Sequence, residues 1–424
     1  MFQIIYIFIL SSMVFSNNEE LPIGFTDSEL KNKHLIGLNV RETDPPPGPV
    51  RNIAEYEPMQ GVLIRYPFGI STSLIREMAE DVIIYCLVSS SSQNSAFNSM
   101  NSAGVNMNNV EFITGSTDSY WTRDYGPWWV VDGNGEIGIV DFEYNRPRPN
   151  DNNAPSKVAN HLNVPYYSAD FISTGGNYMT DGFGISASAH IAYTENNQCN
   201  TNNQSSVPLP SCSYVDNILS DYYGINTYHV VADPNNEYID HIDCWGKFLS
   251  PNKILIREVP NTHNQYEDIE EVATYFSSIL TSDGFPWDVY RVNTPSDQPY
   301  TNSLILNDKV FVPIMNSSWD GPALEVYESA MPNHEVLPFT GSWQSTDALH
   351  CRVKGIPDLN FIQFESGDLN MDEYINVLDI VLAVNYVLGL DELSSYQIQL
   401  ADINGDQIVN ILDIILVVNL ILGE

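Results

Sequence analysis

Basic residues are scarce in this chain. Its 424 residues include 17 Lys and Arg against 54 Asp and Glu, a formal net charge of −37 at pH 7. A field of that sign repels nucleic acid and attracts cationic ligands, so we do not expect a nucleic acid partner. An acidic surface also serves solubility in salty or calcium-rich surroundings, and the total charge does not separate these two explanations.

Cysteine is also scarce, with five residues, and no pair repeats the two-residue spacing of a zinc site. Cys199 and Cys212 flank a loop rich in Asn, Ser and Pro and could form a local disulfide. Cys86 lies in an apolar run and is expected to be a buried strand residue. Cys244 is interpreted as a packing residue.

Long hydrophobic runs are missing after the N-terminus, so we expect no transmembrane segment. Residues 1–16 combine an apolar run with small residues and are predicted to be a secretory signal peptide, although no Lys or Arg precedes the run. A short buried helix is the alternative. Residues 17–50 are predicted to be an extended, polar segment that ends in a proline-rich stretch. We therefore expect a secreted or cell-surface protein of a bacterium or archaeon.

The part from 51 to 360 has the pattern of an α/β domain. Short β-rich runs such as 61–66 and 253–257 alternate with segments of helical character such as 267–280. The pattern does not predict how the strands are ordered.

Four separated motifs carry residues that suit chemistry on a guanidinium, at 121–124, 174–177, 241–247 and 347–352. A guanidinium is planar and cationic, and carboxylates such as Asp124 and Asp243 can grip its edge. Cys351 can attack the carbon once neighbouring positive charge lowers the pKa of its thiol. His241 can protonate the departing nitrogen and later deprotonate the attacking water.

Other residues near these motifs have competing interpretations. His350 adjoins Cys351, but a neighbour on an extended segment points to the opposite face, so His241 is preferred as acid and base. Asp181 and His190 are interpreted as packing or loop residues. Trp121 and Tyr238 are predicted to wall the guanidinium slot, although aromatic residues serve a core equally well.

The run from Glu55-Tyr56-Glu57-Pro58 to His350-Cys351-Arg352, with the motifs in the same order, resembles bacterial peptidylarginine deiminases of the Porphyromonas type. They belong to the guanidine-modifying superfamily, which includes agmatine deiminases. The resemblance implies a five-bladed α/β propeller with the site on its axis. It also implies roles for five residues: guanidinium binding by Asp124 and Asp243, acid and base catalysis by His241, nucleophilic attack by Cys351 and support by Asn302.

The substrate is suggested by Arg146 and Arg148, which are held apart by a proline. In the family this run resembles a clamp for the α-carboxylate of a C-terminal arginine. The implied reaction converts peptidyl-arginine to citrulline and ammonia through a covalent thiouronium on Cys351, without a cofactor. An agmatine deiminase, which forms N-carbamoylputrescine, is the alternative. A non-catalytic binding protein is a third hypothesis, and the retained catalytic residues argue against it.

Residues 361–424 contain a repeat whose second copy begins 34 residues after the first. Oxygen ligands at loop positions one, three, five, nine and twelve, with a carbonyl at seven, are typical of a calcium site. The predicted ligands are Asp368, Asn370, Asp372, Tyr374, Asn376 and Asp379, then Asp402, Asn404, Asp406, Ile408, Asn410 and Asp413.

The repeat resembles a type I dockerin, which implies Ca2+ and a cohesin-type scaffold as partner. Position six is Glu373 or Gln407 rather than Gly, a departure from the general EF-hand rule that bears on loop geometry. A calcium-stabilised C-terminal cap without a cohesin partner is the alternative.

Overall fold

The computed structural model of this chain describes most of the sequence. The described residues are 20–38, 41–199, 205–236, 239–282, 284–343, 346–360, 366–370, 374–390, 393, 395–404 and 408–423. The predicted signal peptide at 1–16 lies outside them. Strands and helices alternate through the larger part of the chain, so the α/β prediction is confirmed.

The described strands form five separate sheets. In spatial order, the first contains β17 (Lys354–Pro357), β2 (Met59–Arg65), β3 (Ile83–Val88) and β4 (Val110–Thr114), and the second β1 (Arg51–Asn52), β5 (Trp128–Val131), β6 (Ile137–Tyr144) and β7 (Tyr166–Ser173). The third contains β10 (Thr227–Val231), β9 (Ile185–Ala189) and β8 (Met179–Thr180), the fourth β11 (Gly246–Ser250), β12 (Lys253–Glu258) and β13 (Asp288–Asn293), and the fifth β14 (Leu304–Leu306), β15 (Lys309–Ile314) and β16 (Glu335–Thr340).

The helices lie between these strands and in a separate C-terminal group. They are α1 (Asp27–Asn32), α2 (Thr72–Met78), α3 (Gln93–Ser102), α4 (Pro149–Asn152), α5 (Ala154–Leu162), α6 (Ile191–Thr194), α7 (Ser213–Tyr223), α8 (Tyr266–Ser278), α9 (Asp320–Ala330), α10 (Val377–Val387), α11 (Ser395–Ala401) and α12 (Ile411–Leu422). In α8, Ile269, Val272, Ala273 and Phe276 are buried at helical spacing, which places the helix against its sheet.

The same unit recurs in all five sheets. An antiparallel pair comes first, as in β11 with β12, and a helical crossover then leads to a parallel strand, as α8 leads to β13. Parallel neighbours need such a crossover because their ends lie on opposite sides of the sheet. In the first sheet the antiparallel partner of β2 is β17, so this sheet joins the two ends of the α/β part.

The five-bladed arrangement implied by the resemblance stays a prediction. The described strands form five open sheets, and no ladder between described strands joins them into one closed sheet.

Residues 20–38 differ from the extended segment that we predicted for 17–50. They contain α1, whose start is a capping box: the Thr26 side chain accepts from the backbone of Glu29, and the Glu29 side chain accepts from the backbone of Thr26. The pattern Thr-x-x-Glu is a helix-start signal that the sequence interpretation missed. Ile23 and Glu29 are buried, so this segment packs on the α/β part.

The C-terminal helices enclose a small core of their own, formed by Leu369, Ala383, Ala401 and Ile414. Both repeats end their loops in the same way. Asp379 accepts the backbone N–H groups of Asn370 and Asn376, and Asp413 accepts those of Asn404 and Asn410.

The cysteines are arranged largely as the sequence suggested. Cys199 and Cys212 form a disulfide. Cys86 is buried in β3, where burial raises the pKa of its thiol to about 12. Along the described part of the chain, no helix has both the length and the apolarity needed to cross a bilayer.

Candidate active site

Turns from all five sheets meet at one point. Each of these turns comes just before the strand that forms the antiparallel pair of its unit. They contribute Asp124 before β5, Asn177 before β8, Asp243 before β11, Asn302 before β14 and Cys351 before β17. The catalytic residues predicted from the sequence therefore come together.

Hydrogen bonds connect these turns in a closed ring. Gly175 N donates to Asp124 O at 2.8 Å, and Ile242 N donates to Asn177 Oδ1 at 3.1 Å. Asn302 Nδ2 lies 3.3 Å from Asp243 O and 3.2 Å from Cys351 Sγ. Arg123 N closes the ring by donating to Cys351 O at 3.2 Å. The position of each turn thus depends on its two neighbours.

Asn302 holds the Cys351 turn from both sides of its amide. Its Oδ1 accepts from Ala348 N at 3.0 Å and from Cys351 N at 3.3 Å, while its Nδ2 donates to the sulfur. Because one planar amide makes all three contacts, the backbone and the thiol of Cys351 have a defined relative position.

The electrostatic environment of Cys351 differs from our expectation. Burial raises the pKa of its thiol well above the ordinary value, and the carboxylates of Asp243, Asp347 and Asp124 raise it further. The expected positive charge beside the sulfur is not supplied by the residues that surround it here. A cationic ligand between the carboxylates would supply it, because an opposite charge favours the thiolate.

His350 also differs from our expectation, because its premise of an extended segment was wrong. Residues His350–Arg352 form a 3-10 turn, and the His350 ring lies inside the cluster. Its Nδ1 is 2.6 Å from Asp243 Oδ2, and its Nε2 is 2.6 Å from Glu55 Oε2. Burial and the charge of Arg123 lower the pKa of His350, although Glu55 and Asp243 oppose this, and the contacts of both ring nitrogens place His350 to orient Asp243.

Glu55 is the residue that the sequence interpretation missed. Its carboxylate lies 2.7 Å from Arg123 Nη2, 2.7 Å from Lys247 Nζ and 2.6 Å from His350 Nε2. Burial alone raises its pKa, but the charges of these three groups hold it well below the ordinary value. Arg123 and Lys247 lie within the motifs at 121–124 and 241–247, and in a chain so poor in basic residues they indicated a buried carboxylate partner.

Asp243 is ionised for a related reason. Burial raises its pKa, but the hydrogen bond and charge of His350 outweigh this, so the pKa lies below the ordinary value. Asp243 Oδ2 also lies 3.5 Å from Cys351 Sγ. The carboxylate that faces the sulfur is therefore held by His350 and keeps its charge.

Asp124 and His241 differ from Asp243 and His350, because they lie close together without a hydrogen bond between them. His241 Nδ1 lies 3.6 Å from Asp124 Oδ1, and within the described structure neither carboxylate oxygen and neither ring nitrogen has a hydrogen-bond partner. Burial raises the pKa of Asp124 well above its ordinary value, with added repulsion from Asp243. Burial lowers the pKa of His241 to about 4, so its ring is neutral at pH 7 and can accept a proton.

Gly175 and Gly176 make this close packing possible. A Cβ on Gly176 would lie 2.5 Å from Asp124 Oδ1 and 2.6 Å from His241 Nδ1, and one on Gly175 would lie 2.2 Å from Arg123 O. No side chain fits at either position, which explains the double glycine at 175–176 in physical terms.

The predicted substrate-binding residues have different surroundings. Trp121 is buried beside Cys351, and its ring contacts Tyr120 and Arg352. Arg146 and Arg148 are buried and bind residues of the N-terminal segment. Tyr238 lies outside the described residues.

Asp181 and His190 lie in loops, as their interpretation proposed. Asp181 Oδ1 accepts from the backbone of Phe183 and Ile185 and so shapes the turn before β9. His190 lies 3.8 Å from Asp240.

The predicted calcium loops are described except for residues 371–373 and 405–407, which include the predicted ligands Asp372 and Asp406. Among the described residues, no group of three or more His, Cys, Asp or Glu side chains is gathered closely enough to hold a metal ion. The donor chemistry nevertheless fits calcium: Asp368, Asp379 and Asp413 are buried carboxylates next to carbonyl and amide oxygens.

Comparisons with known proteins give a consistent family and fold. A family model described as Porphyromonas-type peptidyl-arginine deiminase matches residues 53–357, and one for dockerin type I domains matches residues 366–422. A provisionally named agmatine deiminase of Mycoplasma capricolum is 26% identical over 269 residues, covering 54% of this chain and 71% of the relative.

Two solved structures have a similar fold. An Enterococcus faecalis agmatine deiminase superposes with a TM-score of 0.65 at 18% identity, covering 76% of this chain and 100% of the other. A Porphyromonas gingivalis protein with a provisional arginine deiminase name has a TM-score of 0.62 at 17% identity, covering 73% and 98%.

Replacement of Gly176 by Ala tests the close packing of Asp124 and His241. Because the added methyl group displaces both side chains, we expect ammonia release from a guanidine substrate to fall about 100-fold, the order expected for a 1 Å misplacement. Gly321→Ala, where a Cβ meets nothing within 4 Å, is the matched control. Equal turnover of the two variants would contradict the role given to this turn.

Replacement of Glu55 by Gln tests the buried network. Loss of the carboxylate leaves Arg123, Lys247 and His350 without their shared partner, and we expect the free energy of unfolding to fall by about 3–5 kcal/mol at pH 7. Tryptophan fluorescence in urea measures this selectively, because all 7 tryptophans lie between positions 121 and 343. Glu77→Gln, which removes one of two carboxylate partners of the partly exposed Lys309 and leaves Asp81, should cost at most about 1 kcal/mol.

The pH dependence of this difference is also defined. The pKa of Glu55 is depressed in the folded chain, so its stabilisation is complete above the ordinary value of 4.5 and is lost as the pH falls towards the folded value. The difference in free energy of unfolding between wild type and Glu55→Gln should therefore become smaller below about pH 4.5. A gap independent of pH would mean that the carboxylate charge is not what stabilises the network.

Proposed function

Because the chain belongs to the Porphyromonas-type peptidyl-arginine deiminase family, we propose that it converts peptidyl-arginine, preferably at a peptide C-terminus, to citrulline and ammonia. Membership makes it a hydrolase of amidine carbon–nitrogen bonds. The observation that carries the proposal is the placement of Cys351 between two buried carboxylates, with the neutral ring of His241 beside one of them.

The guanidinium of the substrate binds between Asp124 and Asp243. Both carboxylates are buried, and the oxygens of Asp124 have no hydrogen-bond partner within the described structure, so a flat cation with several N–H donors satisfies them. Binding neutralises the repulsion that raises the pKa of Asp124, and the cation also lowers the pKa of the nearby thiol. The substrate thus completes the electrostatics of the site.

In the first half of the reaction, Cys351 Sγ forms a bond to the guanidinium carbon and its proton passes to His241. The carbon–nitrogen bond to a terminal nitrogen then breaks, and the proton on His241 leaves with that nitrogen as ammonia. A thiouronium remains on Cys351. Asn302 holds the sulfur in line through its contacts with the Cys351 turn.

In the second half, His241 removes a proton from water as the water oxygen attacks the thiouronium carbon. The carbon–sulfur bond breaks as His241 returns its proton to Cys351, the remaining proton on the new oxygen passes to solvent, and the ureido group of citrulline is released. With a pKa of about 4, His241 is neutral at pH 7 and has a free ring nitrogen for the proton. Trp121 walls the slot and keeps water from its apolar side.

The preference for a C-terminal arginine is supported by Arg146 and Arg148. Their guanidinium groups are buried near the slot, and the charge of Arg146 acts on the pKa values of both Asp124 and His241. Arg148 already binds a carboxylate, that of Glu29, through two of its nitrogens. An α-carboxylate fits the same donors.

An agmatine deiminase is the second candidate, because curated relatives of this chain carry that name. Agmatine has the guanidinium but no carboxylate. It would use Asp124, Asp243, His241 and Cys351 in the same way and would leave Arg146 and Arg148 without a substrate partner.

The five units are proposed to surround the site as a five-bladed propeller. The ring of hydrogen bonds that joins the turns of successive sheets supports this arrangement. The proposed division is a catalytic domain at 51–360 and a dockerin domain at 361–424, and the family matches at 53–357 and 366–422 support it.

The C-terminal domain is proposed to bind two calcium ions and to attach the enzyme to a cohesin-type scaffold outside the cell or on its surface. Dockerin type I domains typically bind calcium, and Asp379 and Asp413 would provide the last carboxylate of each loop. The signal peptide proposed at 1–16 is consistent with this location.

The substrate proposal is tested by ureido product formation from three compounds: a peptide ending in arginine, the same peptide with arginine internal, and agmatine. We expect the highest kcat/KM for the terminal arginine, and Arg148→Gln should reduce that preference at least tenfold by removing a carboxylate partner. Cys351→Ala should abolish product, while Cys86→Ala should not. Agmatine as sole substrate would favour the second candidate.

Calcium binding is tested by isothermal titration of the full chain. Asp379→Ala and Asp413→Ala should each remove one of two bound ions, because each deletes the last ligand of a loop. Asn385→Ala, on α10 outside the loops, should keep both. The kcat of all three variants should equal that of wild type, and a collapse of kcat would mean that the module belongs to the catalytic fold.

A further inference from the structure

The N-terminal segment covers the candidate active site. Ile23 has no exposed surface and packs in one apolar cluster with Trp121, Ile239, Cys244 and Cys351. A side chain from residues 20–29 therefore reaches the cluster that contains the nucleophile. In this arrangement Cys351 and Asp124 have no exposed surface either.

Side chains of the site donate hydrogen bonds to successive backbone carbonyls of this segment. Trp121 Nε1 donates to Leu21 O at 2.9 Å, and Arg146 Nε donates to Ile23 O at 3.0 Å. Arg148 Nη2 donates to Pro22 O at 2.6 Å and to Gly24 O at 2.9 Å. Four consecutive carbonyls are thus held by three side chains that we assign to substrate binding, which is how a groove recognises an extended peptide.

Side chains of the segment also contact Arg146 and Arg148. Glu29 Oε1 accepts from Arg148 Nε at 2.6 Å, and the capping box of α1 fixes the Glu29 side chain. The Phe25 ring lies 4.3 Å from the guanidinium carbon of Arg146. The segment therefore shares two features with a peptide that ends in arginine, a backbone held by its carbonyls and a carboxylate on Arg148, and it lacks the guanidinium.

We propose that residues 20–29 occupy the peptide-binding groove of this enzyme and exclude peptidyl-arginine until the segment leaves. The inference rests on the proposed function, since the excluded ligand is its substrate. A tethered segment competes at a high effective concentration, which explains how a modest set of contacts can hold the groove closed.

The chain around and beyond the segment offers places where the tether can be cut. Lys31, Lys33 and Arg41 are exposed, whereas Ile23 and Glu29 are buried. Cleavage after one of these basic residues converts the segment from a tethered to a dissociable peptide. Its effective concentration then falls to its bulk concentration, and substrate can replace it.

The test compares full-length Ile23→Asp with Leu30→Asp, whose position is 56% exposed. We expect Ile23→Asp to raise kcat/KM for a peptide ending in arginine at least tenfold, which corresponds to a closed fraction of about nine in ten in wild type. Leu30→Asp should match wild type. Unchanged or reduced kcat/KM for Ile23→Asp, with the fold retained, would show that the segment is a fixed wall of the site and overturn the proposal.

A second measurement does not depend on turnover. Alkylation of Cys351 by iodoacetamide, followed by mass spectrometry of the Cys351 peptide, should be at least about tenfold faster in Ile23→Asp than in Leu30→Asp, for the same population reason. Faster alkylation without ureido product would support the occlusion of the site by residues 20–29 and would contradict the proposed substrate. Ureido product formed at equal rates in all variants would support the deiminase and remove the occlusion.

If Ile23→Asp does not fold, a chain with an engineered protease site tests the same proposal. The full-length chain receives a recognition sequence for a site-specific protease in place of residues 36–38, and activity is measured before and after cutting and gel filtration. Activity should rise on cutting, and a synthetic peptide of residues 20–38 should then inhibit competitively against the peptide substrate. No rise on cutting and no inhibition by the peptide would refute the proposal.

Discussion

Burial of carboxylates beside one thiol is the constraint on which the rest of this structure depends. Removing Glu55 and Asp243 from water is costly unless cations or hydrogen-bond donors accompany them, and Arg123, Lys247 and the ring of His350 meet that need. These groups come from turns of different sheets, so the charges balance only when the sheets are assembled around one point. Among the described residues the oxygens of Asp124 have no hydrogen-bond partner and burial raises its pKa, so a cationic ligand would favour its charged form.

The same arrangement determines the charges around the Cys351 sulfur before substrate binds, when none of the described residues places an unpaired cation beside it. The thiol of Cys351 is kept protonated by burial and by carboxylates, and the ring of His241 is neutral. In the proposed reaction a bound guanidinium would favour the thiolate, which would couple activation of the nucleophile to binding of the substrate. Ile23 carries no charge, so its packing in this cluster leaves the protonation of Cys351 and His241 unchanged.

Features that depend on nearby residues were predictable. The calcium-loop spacing, the strand position of Cys86 and the pairing of Cys199 with Cys212 are local, and the motif order indicated that Asp124, Asp243, His241, Asn302 and Cys351 act together. Three expectations failed, and in one of them a local signal, the helix start at Thr26, had been missed. His350 lies in a 3-10 turn, Cys351 faces carboxylates, and residues 20–38 pack on the domain although composition suggested an extended segment.

By itself, the sequence determined the α/β character, the family motifs and the C-terminal repeat, because each is written in composition or in short spacings. Tertiary structure alone decided that Glu55 joins Arg123, Lys247 and His350, that Gly176 leaves room for Asp124 and His241, and that Ile23 reaches the cluster of Cys351. Those contacts join residues far apart in the chain, and their burial and charge depend on how five sheets and an N-terminal segment pack together.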